Sequence, residues 1–564
     1  MIGSLPPVVI FFVGALLVAV TSGRVRAAIL LAIPIVGGLN LATLAYGTTS
    51  ELALFGYTLT PLRVDRLSFL FGLLFHLAAF IGFIYALHVK DRIEIVSSVL
   101  YAGAAIGAVF AGDLITLVVF WEMLAVTSVV LILVRRSERS YRAAMRYLVI
   151  QLAAGVMLIA GVVIHVSETG SLAFGYMGLG SLSSALIFLA FGVKAAFPLL
   201  HNWLIDAYPE ATPSGAVFLS AFTTKVAIYG LARAFPGTEM LIYIGAVMTM
   251  FPIFFAVIEN DLRRVLAYSM INQLGFMVCG IGLGTELAIN GAVSHAFNDV
   301  IFKGLLFMSM GAVLFRTGKI NGSELGGLYK SMPWTAGFCI VGAASISAFP
   351  LFSGFVSKSM VMVAAIEEGH PVVWLMLLFA SAGVFHHAGI KIPFFAFFAH
   401  DSGIRTEEAP RNMLIAMGLA AAVCIANGIY PWLLYSLLPF PVHYEPYTAA
   451  HVLSQCQLLF FSALAFTWLK LSGLYPPELP SVNIDVEWLY RRLVPAVVTR
   501  TFDGVAATRR RTLAYAERAV SRFLATIYRH HGPSGVLARA WPTGSMAFWA
   551  TLMLGAYLLL YYIL

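Results

Sequence analysis

Two lysines in a long apolar stretch are the residues whose type and spacing most directly suggest chemistry. Lys194 and Lys225 lie in FGVKAAFPLLHNWLIDAYPEATPSGAVFLSAFTTKVAIYG, residues 191–230, within runs long enough to cross a bilayer. A charge at the bilayer centre costs about 2.5–3.5 kcal/mol even on the mildest scale, so it needs a partner, water or a function. Pro198 lacks the N–H that would bond the carbonyl of residue 194, so we expect the helix to break there. This pattern is typical of an ion path.

A carboxylic acid and a polar stripe extend the pattern. Glu122 lies in VVFWEMLAVTS between apolar residues, and Lys194 is its expected partner. Together they form either a proton switch that opens and closes or a static ion pair. Further on, His295, Asp299 and Lys303 recur every four residues and therefore share one helix face. Such a row suits a proton relay with histidine as the intermediate, the plainer alternative being a structural core histidine.

More titratable residues continue the series toward the far side of the membrane. Lys358 follows the second proline-containing run, FPLFSGFVSK, and His386, His387 and Lys391 lie in the next apolar run. Lys391 is either part of the path or a snorkelling residue at the interface, and we expect Lys470 to snorkel. Asp113, directly after a glycine, is expected to cap a helix.

Composition requires a membrane protein to position these groups. Hydrophobic residues make up 60% of the chain and charged residues only 11%, with a mean hydropathy of +0.89. Soluble domains carry about 25% charged residues. The apolar runs predict an all-α polytopic protein with sixteen membrane segments, numbered here 1 to 16. They are centred near residues 13, 36, 77, 103, 124, 157, 190, 223, 249, 273, 302, 350, 386, 422, 463 and 555.

The loop charges indicate an orientation. With the N-terminus outside, inside loops hold sixteen lysines and arginines before residue 474, whereas outside loops hold three, namely Arg63, Arg66 and Arg233. This bias predicts that both termini lie outside, and it accounts for the net charge of +8 without nucleic acid. The four scattered cysteines are expected to be small apolar residues rather than metal ligands.

Segments 7 and 12 both combine a proline with a lysine, which predicts two inverted five-segment repeats. We therefore divide the chain into six regions. They are residues 1–92 (segments 1–3), 93–234 (first repeat, segments 4–8), 235–400 (second repeat, segments 9–13), 401–474 (segments 14 and 15), 475–545 (a basic, amphipathic lateral segment or a plain linker) and 546–564 (segment 16).

Five motifs resemble one known family. In order they are FWEMLAVTS, the 191–230 stretch, NDLRRVLAYSMINQLGF, HAFNDVIFKGLLFMSMGAV and FPLFSGFVSK. Together they resemble the antiporter-like, proton-conducting subunits shared by Mrp-type sodium/proton antiporters, complex I and membrane-bound hydrogenases, and most of all the D subunit of the Mrp type. The resemblance implies a fourteen-helix core and a gating pair at Glu122 and Lys194. It also implies a relay through Lys225, His295, Lys303 and Lys358, with Asp299 where some relatives carry a histidine.

The expected function is proton translocation within a multi-subunit Mrp-type Na+/H+ antiporter of a bacterial inner membrane. The expected partners are other membrane subunits, protons and Na+. No nucleotide, haem, iron–sulfur or metal motif is present, so we expect no cofactor and no enzyme activity of the chain itself. Two alternatives stay open: a proton-pumping subunit of an NADH:quinone oxidoreductase or hydrogenase, and an energising partner for bicarbonate uptake.

Overall fold

The sixteen predicted membrane segments are all helical. The computed structural model describes residues 5–54, 56–480, 483–535 and 543–564. Within them, thirteen helices are long and apolar enough to cross a membrane, and three shorter apolar helices complete the set of sixteen. Residues 1–4, 55, 481–482 and 536–542, which belong to the predicted regions 1–92 and 475–545, lie outside the described residues. The chain divides into two compact units, Met1–Asn483 and Ile484–Leu564.

The first unit holds fifteen of the segments. Its N-terminal part and first repeat consist of α1 (Pro7–Val20), α2 (Gly23–Thr43), β1 (Thr49–Leu54), β2 (Tyr57–Arg63), α3 (Arg66–Ala86), α4 (Arg92–Phe110), α5 (Leu114–Leu133), α6 (Glu138–Thr169), α7 (Leu182–Lys194), α8 (Asn202–Ala207), α9 (Pro213–Ala221) and α10 (Thr223–Ala234). The second repeat and the remainder consist of α11 (Glu239–Ile258), α12 (Leu262–Leu283), α13 (Glu286–Thr317), α14 (Pro333–Ile346), α15 (Ser353–Glu367), α16 (Pro371–Val384), two π-helical stretches (Phe385–Lys391 and Phe394–Phe398), α17 (Arg411–Ile429), α18 (Trp432–Tyr435) and α19 (Ala449–Leu471).

The second unit contains the predicted amphipathic helix. It consists of a π-helical turn (Leu489–Leu493), α20 (Val494–His531) and α21 (Thr543–Ile563). Apolar residues such as Leu513, Val520 and Phe523 recur at helical spacing along α20, with arginines between them. The helix is therefore confirmed, and its placement in the plane of the membrane stays a prediction.

Both expected helix breaks are confirmed and have the same conformation. Residues 196–199 and 348–351 both read Ala-Phe-Pro-Leu. In each copy the alanine and the leucine have positive φ, between 56° and 72°. Non-glycine residues avoid this region, and the strain persists because the proline cannot donate the hydrogen bond that would continue the helix. Two copies of one strained turn thus interrupt segments 7 and 12.

Contacts between loops gather the basic loops at one end of the bundle, here called the basic face. It comprises residues 21–26, 87–92, 134–142, 208–212, 259–264, 316–332 and 399–411. The contacts that join these loops are Arg26 to Val89, Arg136 to Asp91, Arg135 and Arg139 to Glu210, Arg263 to Tyr208 and Ala211, Asp261 to Asn321, Arg316 to Glu407, and Lys330 to Asp401. The alternation predicted from the sequence therefore agrees with the fold.

A β-hairpin that the sequence did not predict lies at the opposite end, here called the hairpin face. Strands β1 and β2 pair antiparallel. Asp113 holds the hairpin, because its Oδ2 accepts a hydrogen bond from Thr60 N at 2.6 Å. The same carboxylate accepts from Thr116 N at 2.8 Å, so Asp113 also caps α5, as predicted.

The two repeats are related by inversion. Helices α6 and α13, the third helix of each repeat, are both 32 residues long. In each repeat an isolated backbone bridge joins the residue before the second helix to a residue just after the third: Asp113 pairs with Ala173 in the first repeat and Asp261 with Asn321 in the second. The first bridge lies at the hairpin face and the second at the basic face. Five crossings separate them, which reverses the direction of the second copy.

Candidate functional site

Lys194 is the last residue of α7, so the first break determines its position. Its side chain is fully buried. Nζ donates to the Trp121 carbonyl oxygen at 2.7 Å and lies 4.0 Å from the centre of the Trp121 ring. A cation–π contact is worth about 2 kcal/mol when desolvated. Neutral groups of α5, a carbonyl and an aromatic face, therefore hold this ammonium.

The expected Glu122–Lys194 pair is open in this structure. Glu122 follows Trp121 on α5, yet the ammonium bonds the Trp121 carbonyl instead. Glu122 Oε1 is buried and has no hydrogen-bond partner among the described residues. It lies against Gly155 of α6, where a Cβ would overlap it. The glycine thus makes room for a carboxylate that is one residue from the ammonium's binding partner.

Lys225 and Asp299 form a buried ion pair between the two repeats. Nζ and Oδ2 are 2.6 Å apart, and both side chains are 0% exposed. Lys225 is the third residue of α10, which begins directly after the irregular residue Phe222, and it also donates to the Ser220 carbonyl at 3.2 Å. Removing one partner of such a pair costs about 3–5 kcal/mol, because the other charge is left buried. The polar stripe that the sequence predicts on α13 therefore contacts the first repeat through Asp299.

His295 connects α13 to two neighbouring helices. Its Nδ1 is 3.1 Å from Ser357 Oγ on α15, and its Nε2 is 3.1 Å from Gln273 Oε1 on α12. Because Ser357 precedes Lys358, the imidazole lies one residue from the next lysine of the series. These contacts join the predicted stripe to the second break.

Lys303 and Lys358, the two lysines of the predicted series in the second repeat, are bound differently. Lys303 donates to Ser269 Oγ on α12 at 2.9 Å. Lys358 reaches back across the second break, donates to the Ile346 carbonyl at 3.0 Å, and lies 5.1 Å from the centre of the Phe276 ring. Both are at most 1% exposed. Backbone freed by the break therefore provides the acceptor for Lys358.

The structure brings together most, though not all, of the predicted residues. It joins Lys225 to Asp299 directly and His295 to the residue before Lys358, while Glu122 and Lys194 lie side by side without a bond. Sequence reasoning missed the binding partners of these groups: Trp121, Ser269, Gln273, Ile346 and Ser357. Only Gln273, in the polar run Asn272–Gln273 within an apolar helix, offered a signal.

Lys391 is buried and does not snorkel. Its Nζ donates to the carbonyls of Val257 and Glu259 at 2.6 Å each, and it forms an ion pair with Glu478 at 3.0 Å. The carbonyls at a helix C-terminus carry partial negative charge, which favours a cation there. Lys391 thus caps α11 at the basic face. Among the described residues, no group of three or more His, Cys, Asp or Glu side chains is arranged to hold a metal ion.

Comparison with known sequences gives one family. The family described as NADH:quinone oxidoreductase/Mrp antiporter, TM, matches residues 111–427. The chain is 34% identical over 308 residues to the D subunit of the Na(+)/H(+) antiporter of Alkalihalophilus pseudofirmus, covering 50% of this chain and 62% of that one. It is 28% identical over 436 residues to hydrogenase-4 component B of Escherichia coli, covering 69% and 64%. The chain therefore spans just under two thirds of these relatives.

Two solved structures share the fold. A chain of the Mrp complex from Dietzia sp. DQ12-45-1b superposes with a TM-score of 0.69 at 22% identity, covering 77% of this chain and 95% of that one. A chain of the membrane-bound sulfane sulfur reductase, an archaeal respiratory membrane complex, gives 0.71 at 21% identity, covering 98% and 99%. The second likeness extends through the C-terminal helices.

Proposed function

Because the chain belongs to the NADH:quinone oxidoreductase/Mrp antiporter transmembrane family, we propose that it is the proton-translocating subunit of a multi-subunit Mrp-type Na+/H+ antiporter. The observation that carries the proposal is a series of buried titratable side chains between two broken membrane helices. Buried ionisable groups in a membrane bundle mark ion pathways because their desolvation is too costly to keep without a use. The 34% identity to the D subunit of a Na(+)/H(+) antiporter supports cation antiport.

Glu122 and Lys194 are the switch in this proposal. At 4 Å and an effective dielectric constant of 20, a carboxylate and an ammonium attract each other by about 4 kcal/mol. Closing the pair therefore stabilises the charged form of Lys194. The open arrangement, in which only a carbonyl and an indole hold the ammonium, favours proton release. Movement of one carboxylate over Gly155 is enough to change the state of the lysine.

The Lys225–Asp299 pair couples the charge state of the first repeat to that of the second. A proton on Asp299 removes the counter-charge of Lys225, so a change of charge on one site alters the electrostatic energy of the other. From Asp299 the proton passes along α13 to His295 or Lys303, which lie one helical turn away on either side. His295 then connects through Ser357 to Lys358 at the second break. Each step moves a proton between neighbouring buried groups, through water where no direct hydrogen bond exists.

The positive-inside rule gives the orientation that we propose. It places the basic face in the cytoplasm, the hairpin face outside and both termini outside, in a bacterial inner membrane. The loop contacts at the basic face support treating its cations as one set. The chain itself acts as a transporter subunit and needs its partner subunits to assemble.

Transport in inverted membrane vesicles tests the proposal. A pH-sensitive dye is followed after addition of Na+ for the wild-type complex and for Lys194→Ala and Glu122→Ala, once each complex is shown to assemble. Both variants are expected to lose Na+-dependent proton movement. Lys319→Ala, on an exposed lysine outside the series, is the matched control and is expected to transport normally. Unchanged transport in both Lys194→Ala and Glu122→Ala would overturn the proposal.

A second candidate is a proton-pumping subunit of a redox-driven respiratory complex. The likeness to the sulfane sulfur reductase chain, which covers 98% of this chain and includes the C-terminal helices, favours it. Flavin or iron–sulfur absorbance in the purified native complex would support it. So would proton pumping on addition of NADH or another electron donor without any response to Na+. Absence of both would leave the cation antiporter.

A further inference from the structure

A buried histidine outside the series described above lies in segment 13. The segment begins as α16 and becomes π-helical from Phe385 to Lys391. Such π-helical turns often occur at functional sites, because the extra residue per turn re-aims side chains. His387, in the middle of this turn, is 0% exposed, and its Nε2 has no hydrogen-bond partner among the described residues. The imidazole is thus buried with a free nitrogen.

A charged pair lies between this histidine and the basic face. Lys391, four residues further along the same turn, is bonded to the carbonyls that end α11 and paired with Glu478 at 3.0 Å. Glu478 follows α19, and its Oε2 lies near Gly322 of the basic face. Glu259, whose carboxylate pairs with Arg264 at 3.0 Å, lies at the same level. Acidic groups therefore extend from the π-helical turn to the loops of the basic face.

The other side of the π-helical turn contacts the relay. The turn packs against α11, α12 and α14, and α12 carries Ser269, the binding partner of Lys303. At Gly389 the backbone comes so close to the second break that a Cβ would overlap Ser347 Oγ. Ser347 follows Ile346, whose carbonyl binds Lys358. The charged groups that interact electrostatically with His387 are Lys303, Lys391 and, when protonated, its neighbour His386.

We propose that the second repeat has its own proton branch to the basic face, with His387 carrying the proton between Lys303 and the Lys391–Glu478 pair. The inference rests on the proposed function and adds a connection that the family series, which ends at Lys358, does not contain. A proton leaves the Lys303 ammonium and reaches His387 through water, which converts the imidazole to imidazolium. From His387 the proton passes to the Glu478 carboxylate. Glu478 then releases it to water, and Lys391 keeps the carboxylate in place.

Cysteine accessibility tests the branch without requiring transport. Cys456 is exposed, whereas Cys279, Cys339 and Cys424 are buried, so Cys456→Ser gives a quiet background in the full complex. His387→Cys in that background is treated with a membrane-impermeant, positively charged thiosulfonate, in right-side-out and in inverted vesicles. Labelling is expected from the basic face alone, at about ten times the background rate or more. Labelling from the hairpin face only, or none from either face, would overturn the branch.

A transport measurement is the second test of the branch. His387→Leu, which keeps the volume but removes the proton carrier, is expected to slow proton movement at least about tenfold, as for loss of a general acid–base group. His76→Leu is the matched control, because His76 is also a buried histidine but bonds the Gly72 carbonyl within α3, outside the series. Normal transport in an assembled His387→Leu complex would overturn the branch while leaving the proposed function intact. If Lys194→Ala and Glu122→Ala both transport normally as well, the proposed function itself fails, whereas the labelling result still shows whether the water path exists.

Discussion

The two inverted repeats build the same break and place an ammonium group in it from opposite sides. In the first repeat Lys194 precedes the turn, and in the second Lys358 follows it and reaches back to Ile346, the residue that corresponds to Lys194. Each ammonium has one backbone carbonyl and one aromatic ring. The break, and not the position of the lysine in the sequence, determines where a buried cation is stable.

The repeats differ in what their acids do. Glu122 of the first repeat forms no ion pair with Lys194, whereas Asp299 of the second repeat forms an ion pair at 2.6 Å with Lys225 of the first. A carboxylate without an ion pair can move toward its lysine, whereas an ion-paired carboxylate holds the two repeats together. In the proposed mechanism, the first repeat therefore carries the switch and the ion pair between the repeats carries the coupling.

A third difference concerns one position between the second and third helices of each repeat, here called the slot, which the two repeats fill with different side chains. The isolated bridges put residues 148 positions apart in correspondence, from 113 to 261 and from 173 to 321. The same offset aligns Gly155 with Lys303 and Trp121 with Ser269. In the first repeat an acid from α5 enters the slot over a glycine. In the second, a lysine from α13 enters it and bonds the serine.

The largest effect is expected from breaking the pair at the boundary. Asp299→Leu leaves Lys225 buried without a counter-charge, which should lower the free energy of unfolding by about 3–5 kcal/mol and abolish transport. Lys225→Met together with Asp299→Leu removes both charges and should restore assembly and thermal stability, but not transport. Thermal unfolding of the purified complex and the vesicle dye assay measure the two effects. A single variant as stable as the parent would show that the pair does not join the repeats.

The next effect sharpens the contrast between the two slots. Gly155→Ala places a methyl group where Glu122 Oε1 now lies, so the carboxylate is displaced and transport should fall by about 100-fold. Gly304→Ala on α13 is the matched control, since a Cβ there meets nothing within 4 Å. Equal transport by the two alanine variants, measured in assembled complexes, would argue against a mobile Glu122.

The sequence predicts the helices and helix breaks that position this site, but it does not predict which charged residues pair with each other. Apolar runs and prolines act over a few residues, which is why the segments, the breaks and the Asp113 cap could be read directly. Lys225 and Asp299 pair across 74 residues and two repeats, and no local pattern reports such a contact. Local patterns also do not decide between a buried and an interfacial Lys391, because its ion-pair partner Glu478 is 87 residues away. The hairpin was missed since its short strands lie between two strongly apolar segments.

A smaller effect is expected from removing the hydrogen-bond acceptor of Lys303, which is a side chain, whereas the acceptor of Lys194 is a backbone carbonyl. Lys303 bonds a side-chain hydroxyl, so Ser269→Ala deletes its acceptor. A hydrogen bond to a charged group contributes about 1.5–3 kcal/mol, which corresponds to at least about tenfold slower transport if the protonated lysine is on the path. Ser309→Ala, which removes a hydroxyl bonded to a helix carbonyl of α13, is the control and should have little effect. Wild-type rates for Ser269→Ala would place Lys303 outside the rate-determining path.

The smallest effect concerns the aromatic rings beneath the two ammonium groups. Trp121→Phe keeps the carbonyl that binds Lys194, since that acceptor belongs to the backbone, and weakens only the cation–π contact. A loss of about 0.5–1 kcal/mol corresponds to a change in transport of about two- to fivefold. Phe276→Leu beneath Lys358 should cost about the same if the two breaks are equivalent, because it too leaves a carbonyl in place. A much larger loss for Trp121→Phe than for Phe276→Leu would mean that the indole also positions Glu122, and that the first break is specialised for switching in a way the second is not.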